Sequence, residues 1–394
     1  MGDIFRKRAP RPDVPRERRR PQGGLLHEPG RLPVVVLGSV GLLATLAMDF
    51  LHVAPNRLLS GYPANPHVAL LTAAWIMTAA AGFWRGGALL ALLLTLGLPF
   101  LAGHDATLLL QGAAPTTRIQ LGAGFWTMWL AAALLLLDRL RHLRMTWRAA
   151  AWLCVAVAYI AGGAAGAFSN LGLVREWQAQ RGAFADALTT HIALSLVTLG
   201  IALAAGAPLG YLAWRKRRTG GALLGVLAFL QTVPSLALFA LLIGPFAWLA
   251  RAWPALGALG FGGTGAAPAV FALVLYALLP VVRYTVAGLD AVPADAREAA
   301  RGLGMSRGQV LLGIQLPLGW PVLLAGLRIV AVQTIGLAAV AALIGAGGMG
   351  RFVFLGIGQG ATDMVLLGTL AIIVLALAAD LLFQGLMALT GRRA

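Results

Sequence analysis

Long apolar runs, separated by short polar segments, are the dominant pattern along this chain. A helix that crosses a bilayer needs about 20 mostly apolar residues, with about 17 as the lower limit. Ten runs meet or approach this length, and the second is the weakest because it is short and a tight turn follows it. The ten runs are Leu32–Phe50, Val68–Phe83, Gly86–Ala102, Leu121–Leu137, Ala149–Phe168, His191–Trp214, Ala222–Ile243, Pro268–Leu289, Pro321–Ile344 and Met364–Met387. The pattern predicts an all-α polytopic membrane protein with about ten transmembrane helices.

Composition agrees with the hydrophobic pattern and excludes a soluble globule. Of the 394 residues, 59% are hydrophobic and only 11% are charged. A soluble domain carries roughly 25% charged residues to cover its surface. The single cysteine, Cys154, excludes an intramolecular disulfide and a thiolate metal cluster. No close cluster of His, Cys and acidic residues appears either, so we expect no metal site.

Lysine and arginine predict the orientation of the helices, because cytoplasmic segments of membrane proteins are enriched in both. With the amino terminus in the cytoplasm, 25 of the 31 Lys and Arg residues fall on or near the cytoplasmic side and 6 fall on the other. A wrong number of spans would scramble this alternation. The split therefore predicts an even number of spans, with both termini in the cytoplasm.

The chain divides into three segments. Residues 1–31 are rich in Arg and Pro without apolar periodicity, which predicts a disordered basic cytoplasmic tail near anionic lipid. Residues 32–190 hold five spans and no motif that indicates a function, and residues 191–390 hold the other five. The net charge of +17 is spread along the chain and not gathered on one soluble domain, so nucleic acid is not an expected partner.

Motifs of catalysis and nucleotide binding lack the context that they require. Residues 304–308 match G-x-S-x-G, but no histidine follows Ser306 and no strand precedes it, as a hydrolase nucleophile elbow requires. A Walker A loop needs Gly-Lys followed by Ser or Thr, and the only lysines, Lys7 and Lys216, are each followed by arginine. We therefore expect a protein that is not an enzyme and binds no cofactor directly.

One polar segment, Asp290–Trp320, is long enough to hold structure of its own. Ala294–Arg301 is a strong helix former, and Gly302 and Gly304 predict its end, with one glycine at positive φ. A compact projection of helices that meet at a glycine bend suits docking into the groove of a partner. An ordinary amphipathic connector is the alternative interpretation.

A second short helix follows the glycine bend. Ser306 and Gln309 have the spacing of an S-x-x-Q capping box. Pro317 and Pro321 predict that this helix ends before the ninth span begins.

The same segment resembles the EAA signature of ATP-binding-cassette importer permeases. Glu298-Ala299-Ala300 is followed by Gly304, and nine residues separate Gly304 from Ile314-Gln315-Leu316-Pro317. The resemblance implies that Glu298, Ala299, Ala300 and Gly304 form a coupling helix that inserts into an ATPase subunit, with Ile314, Leu316 and Pro317 completing the signature. We call residues 290–320 the EAA segment.

Three further stretches are similar to the osmoprotectant branch of these permeases, which carries glycine betaine, carnitine and choline. They are Gln231–Leu238, Leu273–Pro280 and Ala331–Gly336 through Gly350, and the resemblance covers about His191–Leu386. It implies a MetI-like five-helix core in a bacterial cytoplasmic (inner) membrane, to which five amino-terminal spans are added. It also implies a second permease subunit (the same or homologous), a cytoplasmic ATPase dimer that uses the ATP, and a periplasmic or lipid-anchored solute-binding protein.

Polar residues inside the spans are candidates for a translocation path, since such residues are costly in a bilayer. The seventh run contains Gln231, Thr232 and Ser235 around Pro234, which frees a backbone carbonyl and kinks a helix. The ninth run contains Gln333 and Thr334 at its middle. Hydrogen bonding between helices is the alternative role for these side chains.

Three other functions remain open at this point. An ABC permease for another small polar solute, such as an amino acid, would fit the same motifs. An ion-coupled secondary transporter would favour inverted repeats and buried acids; the sequence shows no internal repeat, Asp49 lies at the end of its run, and only Asp380 lies further inside one. A membrane scaffold or intramembrane enzyme is a third class, and the missing nucleophile and base disfavour the enzyme.

Overall fold

The structure is a computed structural model, and it describes residues 32–59, 61–80, 87–141, 143–258 and 260–391. The predicted basic tail, residues 1–31, lies outside the described residues, and so does most of the turn predicted after the second span.

The described chain is mainly helical. Its helices are α1 (Leu32–Ala47), α2 (Val68–Ala80), α3 (Gly87–Leu109), α4 (Ala123–Leu140), α5 (Met145–Ala164), α6 (Gly172–Ala179), α7 (Arg181–Arg215), α8 (Arg217–Thr232), α9 (Ser235–Ala252), α10 (Pro254–Ala258), α11 (Ala266–Asp290), α12 (Ala294–Gly302), α13 (Arg307–Val310), α14 (Leu316–Ala338), α15 (Gly350–Gln359) and α16 (Thr362–Gly391). Eight helices in this part of the chain are long and apolar enough to cross a membrane, and α1 and α2 are shorter apolar helices. Each of the ten predicted runs overlaps one of these ten helices, which confirms the all-α polytopic fold.

The seventh span was predicted as one kinked helix, Ala222–Ile243, and this is wrong. Helix α8 ends at Thr232 and α9 begins at Ser235. Val233 and Pro234 between them have extended backbone, with ψ of 126° and 136°. Proline disfavours helical backbone at the residue that precedes it, so the chain breaks here and does not bend.

The predicted helix end at Pro317 and Pro321 is also wrong. A helical stretch runs from Arg307 to Ala338. Pro317 lies at the start of α14 but well inside this continuous stretch, so its missing N–H interrupts the hydrogen-bond ladder there. One π-helical turn, Leu311–Gln315, joins α13 to α14 and absorbs the irregularity that proline introduces.

The described chain forms two compact units. One unit comprises the described parts of Met1–Asp49, Asn65–Pro99 and Ala123–Ala161. Within it, α1 packs against α2 and α4, and the Trp75 ring is fully buried beside Gly41. A Cβ at Gly41 would lie 2.3 Å from that ring, so only glycine permits this approach.

The other unit comprises Phe50–Ala64, Phe100–Gly122 and Gly162–Ala394. It contains a three-stranded antiparallel sheet in the order β2-β1-β3. The strands are β1 (Leu51–Ala54), β2 (Tyr62–Ala64) and β3 (Arg118–Leu121). Leu51 pairs with Ala64 on one side and with Leu121 on the other. The sequence analysis predicted none of these strands, since three or four residues are too few to show a period.

Helices α7, α11 and α14 form the centre of this second unit. Small residues allow their backbones to approach closely, as is common between membrane helices. A Cβ at Gly206 would lie 2.6 Å from Val281, and a Cβ at Gly319 would lie 2.5 Å from the Gly288 carbonyl oxygen. These contacts fix α11 between α7 and α14.

A buried histidine joins α7 to α14 and to the glycine-rich turn that follows. The His191 ring is 0% exposed, and its Nδ1 accepts a hydrogen bond of 3.3 Å from the Met349 backbone N–H. Its Nε2 must therefore carry the ring proton, which it donates to the Ile335 carbonyl oxygen at 3.0 Å. A histidine that satisfies both nitrogens in this way has a structural role.

Candidate functional site

The EAA segment turns at a glycine bend, as the sequence predicted, with the short helix α12 before the bend and the long helical stretch Arg307–Ala338 after it. Helix α12 ends at Gly302, and Gly304 has φ of 79°. Ser306 then begins α13 with a complete capping box. The Gln309 backbone N–H donates to Ser306 Oγ at 3.4 Å, and the Ser306 backbone N–H donates to Gln309 Oε1 at 2.8 Å.

One face of this bend is left uncovered. Glu298 and Ala299 are exposed, whereas Ala300 is buried. The Leu303 side chain is 84% exposed, so its apolar area is open to a partner. Ile314 and Leu316 are half-buried and Pro317 is exposed. The structure thus presents a carboxylate and a large apolar side chain together on the same bend.

Contacts that the sequence analysis missed hold α12 against the end of α7. Asp290 Oδ1 accepts hydrogen bonds from Trp214 Nε1 at 2.9 Å and from Arg217 at 3.1 Å. The Arg297 guanidinium lies over the Trp214 ring at 5.9 Å, within the range of a cation–π contact. The segment is therefore joined firmly to the end of the membrane-spanning helices.

A basic cleft of about 790 Å³ opens beside the bend. Five arginines line it, together with the aromatic residues Tyr211 and Trp214 of α7 and with Met305, Val310 and Gln315. The arginines are Arg215, Arg217, Arg297, Arg301 and Arg307. A surface of this charge suits an acidic partner.

The break between α8 and α9 is the second candidate site. Gln231 Nε2 donates to the Tyr276 carbonyl oxygen at 2.7 Å, and the Tyr276 hydroxyl donates to the Val233 carbonyl oxygen. Tyr276 in α11 therefore satisfies the backbone group that the break leaves unpaired. Tyr276 lies inside Leu273–Pro280, one of the stretches that resemble the osmoprotectant permeases. Nothing in that stretch predicts its contact with Gln231.

Most of the predicted path residues meet at this break. A cavity of about 370 Å³ is lined by Gln231, Thr232, Pro234, Ser235 and Gln333, together with Val233, Tyr276 and Leu337. Thr232 Oγ1 donates to the Phe229 carbonyl oxygen of its own helix at 2.7 Å. Thr334 is buried and is not among the lining residues.

A second cavity adjoins these glutamines and contains a charge. It has a volume of about 330 Å³ and is lined by Gln231, Leu279, Pro280, Arg283, Tyr284, Ala287, Ile329 and Gln333. Gln231 and Gln333 line both cavities. Arg283 was not predicted as a path residue. Its place beside Gln231 and Gln333 depends on how α8 and α14 pack against α11, which the sequence does not show.

The acid that the sequence placed inside an apolar run, Asp380, is paired. Asp380 in α16 accepts hydrogen bonds from Arg328 in α14, one of them at 2.9 Å, and from Gln384 at 2.6 Å. Among the described residues, no group of three or more His, Cys, Asp and Glu side chains is placed to hold a metal ion.

Comparisons with known proteins agree with this geometry. A family model described as the binding-protein-dependent transport system inner membrane component matches residues 182–394. A second model, described as the N-terminal domain of the ABC transporter permease YehY, matches residues 30–174.

Three curated relatives each match about half of this chain. The osmoprotectant import permease protein OsmW of Salmonella typhimurium is 39% identical over 50% of this chain and 86% of its own length. The carnitine transport permease protein OpuCB of Listeria monocytogenes is 39% identical over 48% of this chain and 78% of its length. The choline transport system permease protein OpuBB of Bacillus subtilis is 32% identical over 48% of this chain and 80% of its own length.

The first family model covers more than half of the chain and includes both candidate sites. Membership assigns the chain a transport role in a membrane and no catalytic one. The chain belongs to the family of binding-protein-dependent transport system inner membrane components.

Proposed function

We propose that this chain is the permease subunit of an ATP-driven importer for small zwitterionic or quaternary-amine osmoprotectants. In this assembly it works with a second permease subunit, a cytoplasmic ATPase dimer and a solute-binding protein outside the membrane. Residues 191–390 form the permease core, and residues 32–190 form an amino-terminal extension. Both termini lie in the cytoplasm, as the distribution of Lys and Arg favours.

The observation that carries the coupling role is the exposed bend of the EAA segment. Its two ends continue into spanning helices without a flexible linker. Helix α11 ends at Asp290, four residues before α12 begins, and the helical stretch after the bend runs from Arg307 to Ala338. A partner that displaces α12 therefore also moves α11, which carries Tyr276, and α14, which carries Gln333.

Glu298 and Leu303 are the contacts that we assign to the ATPase. The Glu298 carboxylate would fix the orientation of the bend on the ATPase, and the exposed Leu303 side chain would add apolar contact area. ATP binding and hydrolysis reside in that partner. The role of this chain is to convert movement of the bend into opening and closing of the path.

The lining of the path favours a solute without net charge. Gln231, Thr232, Ser235 and Gln333 offer amides and hydroxyls, and Val233 and Pro234 present extended backbone beside them. Several relatives are named for osmoprotectants, carnitine or glycine betaine, and the last two are zwitterions without net charge. Others are named for choline, a cation that shares the quaternary ammonium. Selection among such solutes falls mainly to the binding protein, where an aromatic cage favours a quaternary ammonium.

Uptake by vesicles that hold the full complex tests this function. Labelled glycine betaine is the substrate, with choline, proline and methionine as competitors. We expect Glu298→Ala to abolish uptake and substrate-stimulated ATP hydrolysis while the chain still inserts. Asp295→Asn, on the same helix α12, is the matched control and should retain both activities. Transport of an amino acid with no effect of any quaternary amine would overturn the solute class and leave the importer class in place.

A further inference from the structure

Arg283 is a charged residue in a spanning helix whose role the proposed function leaves open. It lies seven residues before the end of α11 at Asp290, which is roughly 10 Å along the helix axis. Its side chain is exposed and lines the 330 Å³ cavity together with Gln231 and Gln333. A cavity of this size lies at the lower end of the range of about 300–1,000 Å³ for small-molecule sites.

The charge of Arg283 has no partner among the described residues. No acidic residue lines its cavity. Asp290, the acid on the same helix, is used by Trp214 and Arg217. Asp380 on α16 is used by Arg328 and Gln384. An ionisable residue inside a membrane protein that faces a cavity and lacks a counter-ion is a candidate to bind an anionic group.

Close helix packing fixes the position of Arg283 on the surface of α11. The next residue, Tyr284, packs on Gly326 of α14, where a Cβ would lie 2.2 Å from the ring. Thr285 packs in the same way on Gly210 of α7, with a corresponding distance of 2.5 Å. These two contacts hold the rotation of α11, so the base of the Arg283 side chain stays at the cavity beside the glutamines.

We propose that Arg283 binds the carboxylate of the transported solute and makes this path selective for carboxylated zwitterions over choline. Arginine has a planar fork of donors that matches a carboxylate. The amide of Gln231 is already oriented, because its Nε2 donates to Tyr276 and its oxygen is left to face the cationic end of the solute. Choline has a cationic end and no carboxylate, so the Arg283 guanidinium repels it and forms no ion pair with it. This inference rests on the proposed function.

The test compares solutes that differ only in the anionic group. Complexes that contain wild-type, Arg283→Gln or Arg283→Lys permease are reconstituted in vesicles. Uptake is measured for labelled glycine betaine, its carboxamide analogue and choline, and the binding of glycine betaine is measured on complexes without the binding protein. We expect Arg283→Gln to lower uptake and binding of glycine betaine at least about tenfold, because a charge-assisted hydrogen-bonded pair is lost. Uptake of choline and of the carboxamide should stay the same or rise.

Controls separate this role from a structural one. Arg283→Lys keeps the charge without the fork and should recover part of the glycine betaine uptake. Arg251 is an exposed arginine at the end of α9, and Arg251→Gln should leave the uptake of all three solutes unchanged. Equal losses for all three solutes, or unchanged glycine betaine uptake in Arg283→Gln, would overturn the inference and leave the importer function standing. If the wild-type complex carries no quaternary amine at all, the proposed function itself fails.

Discussion

Gly304 has the strictest backbone requirement in the EAA segment. Its φ of 79° lies in the left-handed region, and no atom would come within 4 Å of an added Cβ. The constraint is therefore conformational and not one of space. A left-handed backbone costs roughly 1–2 kcal/mol for a residue with a side chain. We predict that Gly304→Leu reshapes the bend and lowers substrate-stimulated ATP hydrolysis by the full complex, while insertion of the chain is unchanged.

Gly302 offers a matched control for this prediction. It is two residues away, it also has open space around it, and it has no positive φ. Gly302→Ala should therefore keep stimulated ATP hydrolysis close to that of the wild type. Normal stimulation in Gly304→Leu would show that the left-handed bend is not needed for coupling.

Residue-scale features could be predicted from the sequence where the rule is local. The capping pair Ser306 and Gln309 and the bend at Gly304 follow from spacings of a few residues, and the structure confirms them. Tyr276 and Arg283 gain their significance from neighbours 45 or more positions away, such as Gln231 and Gln333. No periodicity along the chain brings these residues together.

Elements of the core depend on close approach between helices. At Gly319 in α14, an added Cβ would lie 2.5 Å from the backbone oxygen of Gly288 in α11. That atom cannot move without its helix. We predict that Gly319→Val separates α11 from α14 and lowers the free energy of unfolding by about 1–3 kcal/mol. Thermal unfolding of the chain in lipid nanodiscs measures the change.

Gly336 lies on the same helix and is the control for Gly319. No atom lies within 4 Å of the position of its Cβ. Gly336→Ala should leave the unfolding temperature unchanged or slightly higher, since alanine favours helix. An unchanged unfolding temperature in Gly319→Val would mean that these two helices do not depend on the contact.

Polar contacts join the turn after β1 to α6 and to the end of α15. Arg57 forms an ion pair of 3.2 Å with Glu176, which is 3% exposed, and donates to Gln359 Oε1 at 3.3 Å. We predict that Arg57→Ala lowers the free energy of unfolding by about 1–3 kcal/mol, because it removes a charged donor from a buried carboxylate. Arg251→Ala is the control, and equal unfolding temperatures for both variants would contradict the prediction.

At the scale of elements, the sequence predicted the existence of the spans better than their limits. Nine of the ten apolar runs each correspond to one apolar helix, because hydrophobic length is a property of each segment alone. The seventh run is divided between α8 and α9. The break at Pro234 and the continuous helix through Pro317 and Pro321 depend on how the backbone groups freed by proline are satisfied. The Tyr276 hydroxyl donates to the Val233 carbonyl oxygen at the break, and a π-helical turn precedes Pro317. A short sequence pattern predicts neither feature.

The whole molecule has a charge asymmetry that its segments do not reveal individually. If the chain crosses the membrane ten times, as the sequence predicts, 25 of the 31 basic residues fall on or near one side of it. Basic residues near the ends of spans set the orientation because they are retained in the cytoplasm. The connection between α4 and α5 should therefore lie in the cytoplasm, and the connection between α9 and α11 should lie outside.

Cysteine labelling in intact cells measures this orientation directly. The chain has one cysteine, Cys154, so Cys154→Ser gives a background without thiols. Arg144→Cys lies between α4 and α5, and Trp253→Cys follows α9 with the native side chain 54% exposed. We predict that a membrane-impermeant maleimide labels the Trp253→Cys variant in intact cells and labels the Arg144→Cys variant only after the membrane is opened. The reverse labelling pattern would mean that the chain has the opposite orientation in the membrane. It would place the exposed EAA bend outside the cell, where no ATPase can reach it, and would refute the coupling role together with the orientation.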